Sequence, residues 1–453
     1  MDHESHRKLG RFSPKVRHVV LAIVAIMAAL ILLSTAMSRR ALNRRLEAVR
    51  AAGYPTTLAE LAEYTALPEG AANAADVYQR AFRAYVPPAS EANVPILGEA
   101  ELPARGVALP EPMARAIADC LAANQQCLVL LNEAGRIEHC RYEWDYADAL
   151  SPLKRPDHQK GLPNCAKLLR LCAVYHGHMD NADAAAASVR STLQLADSLR
   201  REPGWLAHTS QGACLAGAVS GLERALSLTT FTDRQLRELH EALAASAATL
   251  DLAETMITQR CFAIETLRGL KYSKRPPLKV LIRTRETVLW VPGIHGKGLP
   301  DVLDYAEDCV DAARLPPVQR LRRFRQLDAE LYRLSTLHAM VKAWGPALMS
   351  LRGRTIETDL RVRAHLDLAR AALAIERYRL VTGKVPAELA VLVPQYLNEV
   401  PIDPFDGQPI RYRRTEAGYL LYSIMEDGQD NGGRTREEAG QDQPYDLCFI
   451  VVR

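Results

Sequence analysis

Residues 19–37, VVLAIVAIMAALILLSTAM, carry no charged side chain. As an α-helix rising ~1.5 Å per residue the run reaches about 28 Å, close to the ~30 Å hydrocarbon thickness of a bilayer. No other segment restricts the chain as strongly, and the run predicts a transmembrane helix. Arg7, Lys8, Arg11, Lys15 and Arg17 precede it, and Arg39, Arg40, Arg44, Arg45 and Arg50 follow it, so the positive-inside bias nearly cancels. A short tail ahead of the rest of a 453-residue chain is the arrangement of a signal-anchor. That predicts a cytoplasmic tail at 1–18 and a single-pass protein of a bacterial-type inner membrane, with its bulk extracytoplasmic. Cleavage as a signal peptide after Ser34 or Ala36 is the competing reading.

The remainder is long enough for one large or two ordinary cores, and its 48% hydrophobic content excludes disorder as the main state. A net charge of +4 is small for this length. The basic residues are spread along helices rather than gathered with aromatics, which argues against nucleic acid as a partner. The nine cysteines include no CxxC spacing, so neither a zinc ribbon nor a redox dithiol is signalled. Cys120 and Cys127 are seven apart, as are Cys165 and Cys172. Antiparallel packing of their helices would set Cys120 near Cys172 and Cys127 near Cys165, either as core thiols or as disulfides of an oxidising compartment.

From about 55 to 354 the periodicity is helical, with expected helices at 71–84, 111–134, 163–200, 205–229, 233–270, 299–314 and 316–350. In FTDRQLRELHEAL, Thr232 and Gln235 have capping-box spacing, and Leu236, Leu239 and Leu243 recur on one face. The stretch YHGHMDNADAAAASVRSTLQLA resembles the turn and second helix of a tetratricopeptide repeat through Gly177 and Ala182, although an ordinary helix pair explains it as well. Gly217 and Gly221 read as close-packing positions.

Candidate chemistry in this region is thin. His176, His178 and Asp180 form an HGHMD cluster, but residues two apart point to opposite sides of a helix, so one metal ion requires a loop. Glu143, Asp145 and Asp148 offer carboxylates for acid–base work, or a solvated surface segment. VPGIHGKGLPD imitates a phosphate loop, yet the spacing from Gly293 to Gly296 and Lys297 cannot form the cradle, and neither HExxH nor GxSxG occurs.

The chain changes character near its end. A helix is expected at 358–382, with Leu368, Ala371, Ala372, Ile375 and Tyr378 on one face and Gly383 ending it. Asp403-Pro404 and Asp406-Gly407 are turn formers, QPIRYRR and GYLLYSI flank the turn-like TEAG, and YDLCFIVV can add a third strand. The succession Tyr378, Gly383, Pro386, then Tyr396-Leu397, Pro401, Asp403-Pro404-Phe405-Asp406-Gly407, Pro409, Tyr412, then Ser423, Asp427-Gly428 and Gly432-Gly433 resembles the soluble domain of the type II secretion system major pseudopilin, over about 358–452. The resemblance implies a small α+β domain that binds calcium through Asp427 and the Ile424 carbonyl, with Asp430, Asp442 and Asp446 available to complete an oxygen cage. An acidic hairpin without metal is the alternative. The family's peptidase site is missing, since Pro14 and Lys15 stand where its motif would fall.

The expected architecture is thus mainly α: a transmembrane helix at 19–37, an irregular α-helical domain at 38–354, and a pseudopilin-like α+β domain at 355–453 with a three-stranded antiparallel sheet. The expected role is that of an envelope interaction or scaffold protein whose partners are envelope proteins or secretion machinery. The alternatives are a type II secretion-associated component and a membrane-tethered hydrolase with its site in the helical domain, near Glu143, Asp145, His176 and His178.

Overall fold

The computed structural model describes residues 14–143, 156–270, 294–332, 353–440 and 443–453. It is mainly helical and closes with a small antiparallel sheet. The first elements are α1 (Pro14–Ala51), α2 (Leu58–Tyr64), α3 (Ala75–Ala84), α4 (Glu111–Ala123) and α5 (Gln125–Gly135). Then come α6 (His158–His178), α7 (Ala182–Asp197), α8 (Trp205–Leu228), α9 (Asp233–Thr249) and α10 (Leu252–Leu270). α11 (Ile294–Arg314), α12 (Pro317–Tyr332) and the long α13 (Gly353–Thr382) follow. The chain ends with a 3-10 turn (Leu389–Leu392), β1 (Arg411–Thr415), β2 (Gly418–Ser423), the short α14 (Arg436–Ala439) and β3 (Leu447–Val452).

Among the described residues no helix is long and apolar enough to cross a membrane. The expected transmembrane helix at 19–37, the signal-anchor and the single-pass inner-membrane location are corrected accordingly. The run belongs to a continuous 38-residue helix, α1. The arginine-bearing C-terminal part of that helix folds back onto the protein, where Leu46 packs with Ile264 and Leu303 and Arg45 pairs with Asp304 at 2.7 Å. Nine large apolar side chains between Val19 and Met37 stand more than half exposed.

Local sequence signals explain several boundaries. Thr232 and Gln235 form the expected capping box at the start of α9, with Leu236, Leu239 and Leu243 buried. Gly383, at φ +73°, ends α13 as expected. Three expected helices, 111–134, 163–200 and 233–270, are each broken in two. Asn124 separates α4 from α5 by turning its amide onto the backbone N–H and carbonyl of Val86. Asp251 separates α9 from α10 by accepting the N–H groups of Ala253 and Glu254. The HGHMD segment closes α6 and turns at Asp180, whose φ is +52°.

Helices α6, α7 and α8 pack mutually, as the tetratricopeptide likeness requires, but the pattern stops there because α13 packs on both α8 and α9. At the α6–α8 crossing a Cβ on Gly177 would come within 3.1 Å of the Ala225 Cα, and one on Gly221 within 3.3 Å of the Ala173 Cβ. Gly217 meets nothing within 4 Å. One buried cluster runs from Ala74, the N-cap of α3, to Val451 in β3. A second joins α10, α11, α12 and α13 to Phe405 and Ile424.

The sheet has the order β1-β2-β3, antiparallel throughout, with Thr415 opposite Gly418 across the expected TEAG turn. β3 lies against α8 and α13. There the Glu223 carboxylate accepts the Ile450 N–H at 2.8 Å and the Ser227 hydroxyl accepts the Val452 N–H at 3.3 Å. Helix side chains thereby satisfy an edge that would otherwise present free amides.

Candidate functional site

Gly204, at φ +90°, leads into α8, and α10 supplies the cap that α8 lacks in its own sequence. The Thr258 hydroxyl accepts the Gly204 N–H at 3.0 Å, and the Gln259 side-chain oxygen accepts the Trp205 N–H at 3.2 Å. This docking fixes His208, one turn into α8. Its Nε2 is 3.0 Å from Asp359 Oδ1, and its Nδ1 is 3.0 Å from the Thr255 hydroxyl.

Asp359, on α13, is fully buried and holds three cationic or polarised groups. Its Oδ2 accepts Arg320 Nη1 at 3.2 Å and Arg363 Nε at 3.0 Å. Burial alone would raise its pKa, but Arg363, His208 and Arg320 hold the carboxyl at about 2. An ionised carboxylate only accepts, so His208 carries a proton on Nε2 and its Nδ1 can take a proton from Thr255. The Thr255 hydroxyl lies 2.9 Å from the Asp251 carbonyl as well. Its proton therefore has two acceptors.

Thr255 and His208 open onto a cleft of about 270 Å³ that is also lined by Tyr64, Arg200, Arg201, Glu202 and Glu254. Glu202 is buried and accepts His158 Nε2 at 2.7 Å and Gln159 Nε2 at 3.0 Å. The Tyr142 ring stacks on His158 with centroids 4.2 Å apart. The Tyr64 hydroxyl donates to Glu254 at 3.0 Å. Burial pushes the Glu254 carboxyl up, with Asp251 adding to the rise and Tyr64 opposing it. The cleft thus joins a threonine–histidine–aspartate relay to further carboxylates and two arginines.

The residues singled out from the sequence lie elsewhere. Glu143 is exposed, and Asp145 and Asp148 lie outside the described residues. His178 Nδ1 accepts the Leu109 N–H at 3.3 Å, and Asp180 accepts the Thr229 hydroxyl at 2.6 Å. Burial lowers the pKa of His176. These three side chains serve separate contacts.

In the calcium-like loop, Asp427 accepts the Gln429 N–H at 3.0 Å and Asp430 the Gly432 N–H at 2.9 Å. Asp446 accepts the Gly433 N–H at 2.7 Å, while Asp442 lies outside the described residues. Ile424 is buried, its N–H donated to Asp403 at 3.0 Å. Among the described residues no group of three His, Cys, Asp or Glu stands close enough to hold a metal ion.

Asp403, read from sequence only as a turn former, is a buried hub. It takes hydrogen bonds from Phe405 N–H, Ser423 Oγ, Ile424 N–H and Arg411, and so ties the PFDG turn to the end of β2.

No family model matches the chain, and neither the curated proteins nor the solved structures provide a match.

Proposed function

We propose that the protein is a hydrolase-class enzyme whose acid–base site is the cleft between α2, α8 and α10, with Thr255 as nucleophile, His208 as base and Asp359 as the group that orients His208. The observation that carries this reading is the relay itself. A hydroxyl lies 3.0 Å from an imidazole nitrogen, the imidazole's other nitrogen is held 3.0 Å from a buried carboxylate, and the hydroxyl and imidazole line a cleft. That is the arrangement that activates a hydroxyl nucleophile. Arg200 and Arg201 line the same cleft and supply positive charge that favours a developing oxyanion.

A fluorophosphonate probe tests the assignment without a known substrate. Thr255 Oγ attacks phosphorus, fluoride leaves, and His208 takes the hydroxyl proton. The expected result is an adduct on the Thr255 peptide that is absent in Thr255→Val and in His208→Asn, with the thermal melt of Thr255→Val unchanged. An unlabelled protein, or labelling that persists in His208→Asn, overturns the reading.

A second reading, association with a partner through α1, is favoured by the nine exposed apolar side chains between Val19 and Met37, because exposed apolar stretches of this extent mark interaction surfaces. The envelope-protein and secretion-machinery partners implied by the C-terminal resemblance belong to this reading. Leu30→Gln combined with Leu33→Gln is expected to abolish cross-linked partners in cells, and an unchanged set of partners counts against it.

A further inference from the structure

We propose that a second cleft, on the Arg320–Arg363 side of Asp359, is a binding site for an oxyanion, the phosphate or carboxylate group of a small molecule. This cleft has a volume of about 450 Å³ and is lined by Tyr54, Asp251, Glu254, Arg314, Arg320 and Arg363 together with apolar residues of the α9–α10 corner and α11. It receives side chains from four places in the fold. Tyr54 follows α1, Arg314 ends α11, Arg320 begins α12, and Arg363 projects from α13.

Unused donors define the ligand. Asp359 is a single carboxylate shared among His208, Arg320 and Arg363. The cleft's two acidic side chains are already engaged, Asp251 by capping α10 and Glu254 by the Tyr64 hydroxyl. Arg320 spends Nε on the Leu315 carbonyl and Nη1 on Asp359. Arg363 spends Nε on Asp359 and Nη2 on the Leu250 carbonyl. Among the described residues the third nitrogen of each guanidinium has no protein partner. Burial lowers the Arg320 pKa, with Arg363 adding to the fall and Asp359 and Asp251 opposing it. Arg314 donates to the Tyr54 hydroxyl at 2.9 Å and lies 5.8 Å from that ring's centroid, which keeps a third guanidinium at the cleft. Forked guanidinium donors around a cavity suit an oxyanion, which can accept from several at once.

The site does not depend on Thr255 chemistry, so its test reads binding rather than turnover. The full chain is titrated with inorganic phosphate and separately with acetate by calorimetry, at matched ionic strength. Saturable binding of phosphate, of acetate or of both is expected, weakened about tenfold in Arg314→Ala, which leaves Asp359 with both of its own arginines. Arg237→Ala, an exposed residue of α9, is expected to bind as the native protein does. The absence of saturable heat from either anion, or equal affinity in Arg314→Ala, overturns the inference.

Discussion

Asp359 Oδ1 lies 3.0 Å from His208 Nε2, while Oδ2 of the same carboxylate receives Arg320 and Arg363. One buried side chain therefore joins α8, α12 and α13, and through Arg363 and the Leu250 carbonyl it also reaches the α9–α10 corner. Of its partners, His208 lines one cleft and Arg320 and Arg363 line the other.

Replacing Asp359 by Asn keeps the shape but leaves two partly buried guanidinium groups without their counter-charge. The expected loss is about 3–5 kcal/mol, measured by denaturant unfolding at neutral pH. The pH dependence has a definite sign. The folded carboxyl titrates at about 2, below the unfolded value near ~3.9, so its contribution is complete above the unfolded value and disappears as pH falls through the folded one. The difference between the native protein and Asp359→Asn is expected to shrink from about pH 4 toward pH 2. A difference constant across that range would mean that the carboxylate is not held by its cations.

None of this cluster was legible in the sequence. His208 and Thr255 are 47 residues apart, and His208 and Asp359 are 151 apart, so no local spacing marks them. The nearest available signal was Asp251 followed three residues later by Glu254, the pattern of a helix start, inside what read as one helix over 233–270. Recognising it would have exposed the corner where both clefts form. What was legible was local: the Thr232–Gln235 cap, the Gly383 stop, and the TEAG hairpin with its third strand. The cap, the stop and the hairpin turn each depend on residues within a few positions of one another, and the third strand was marked by its own run of β-favouring residues. The transmembrane expectation rested on local apolarity alone, whereas the tertiary contacts of α1 come from Leu42, Arg45 and Leu46 beyond the apolar run.

The cysteine spacing gave one correct neighbour pair. The Cys127 and Cys165 sulfurs are 3.7 Å apart, both buried, and among the described residues no such thiol contact joins Cys120 to Cys172. The hydrogen bond between the two thiols lowers the Cys127 pKa and raises that of Cys165. Incubation with oxidised glutathione is expected to join this pair by exchange, releasing two equivalents of glutathione through a mixed disulfide. The sulfurs must approach to about 2.05 Å, which asks for a modest rotation of two side chains. Peptide mapping without reductant is expected to show the 127–165 link ahead of any other, and Cys127→Ser to abolish it. A first-formed bridge involving other cysteines would contradict the packing of α5 on α6.

Glu223 offers the sharpest test of how the sheet is anchored. It is buried in α8, receives Arg105 Nε and the Ile450 N–H at 2.8 Å each, and burial raises its pKa against the opposing pull of Arg105. Glu223→Ala removes an acceptor that serves both a strand amide and a partly buried guanidinium. The expected cost is about 2–4 kcal/mol, because both donors lose their partner inside the protein. Hydrogen exchange localises the effect: the Ile450 amide, which Glu223 accepts, is expected to exchange faster, while Val452, held by Ser227, and Phe449 and Val451, which pair with β2, change less. Uniform acceleration across β2 and β3 would instead show that the sheet opens as one unit and that Glu223 merely adds to global stability. The localised pattern is the expected one, because the carboxylate touches only the edge of β3 that turns toward the helices.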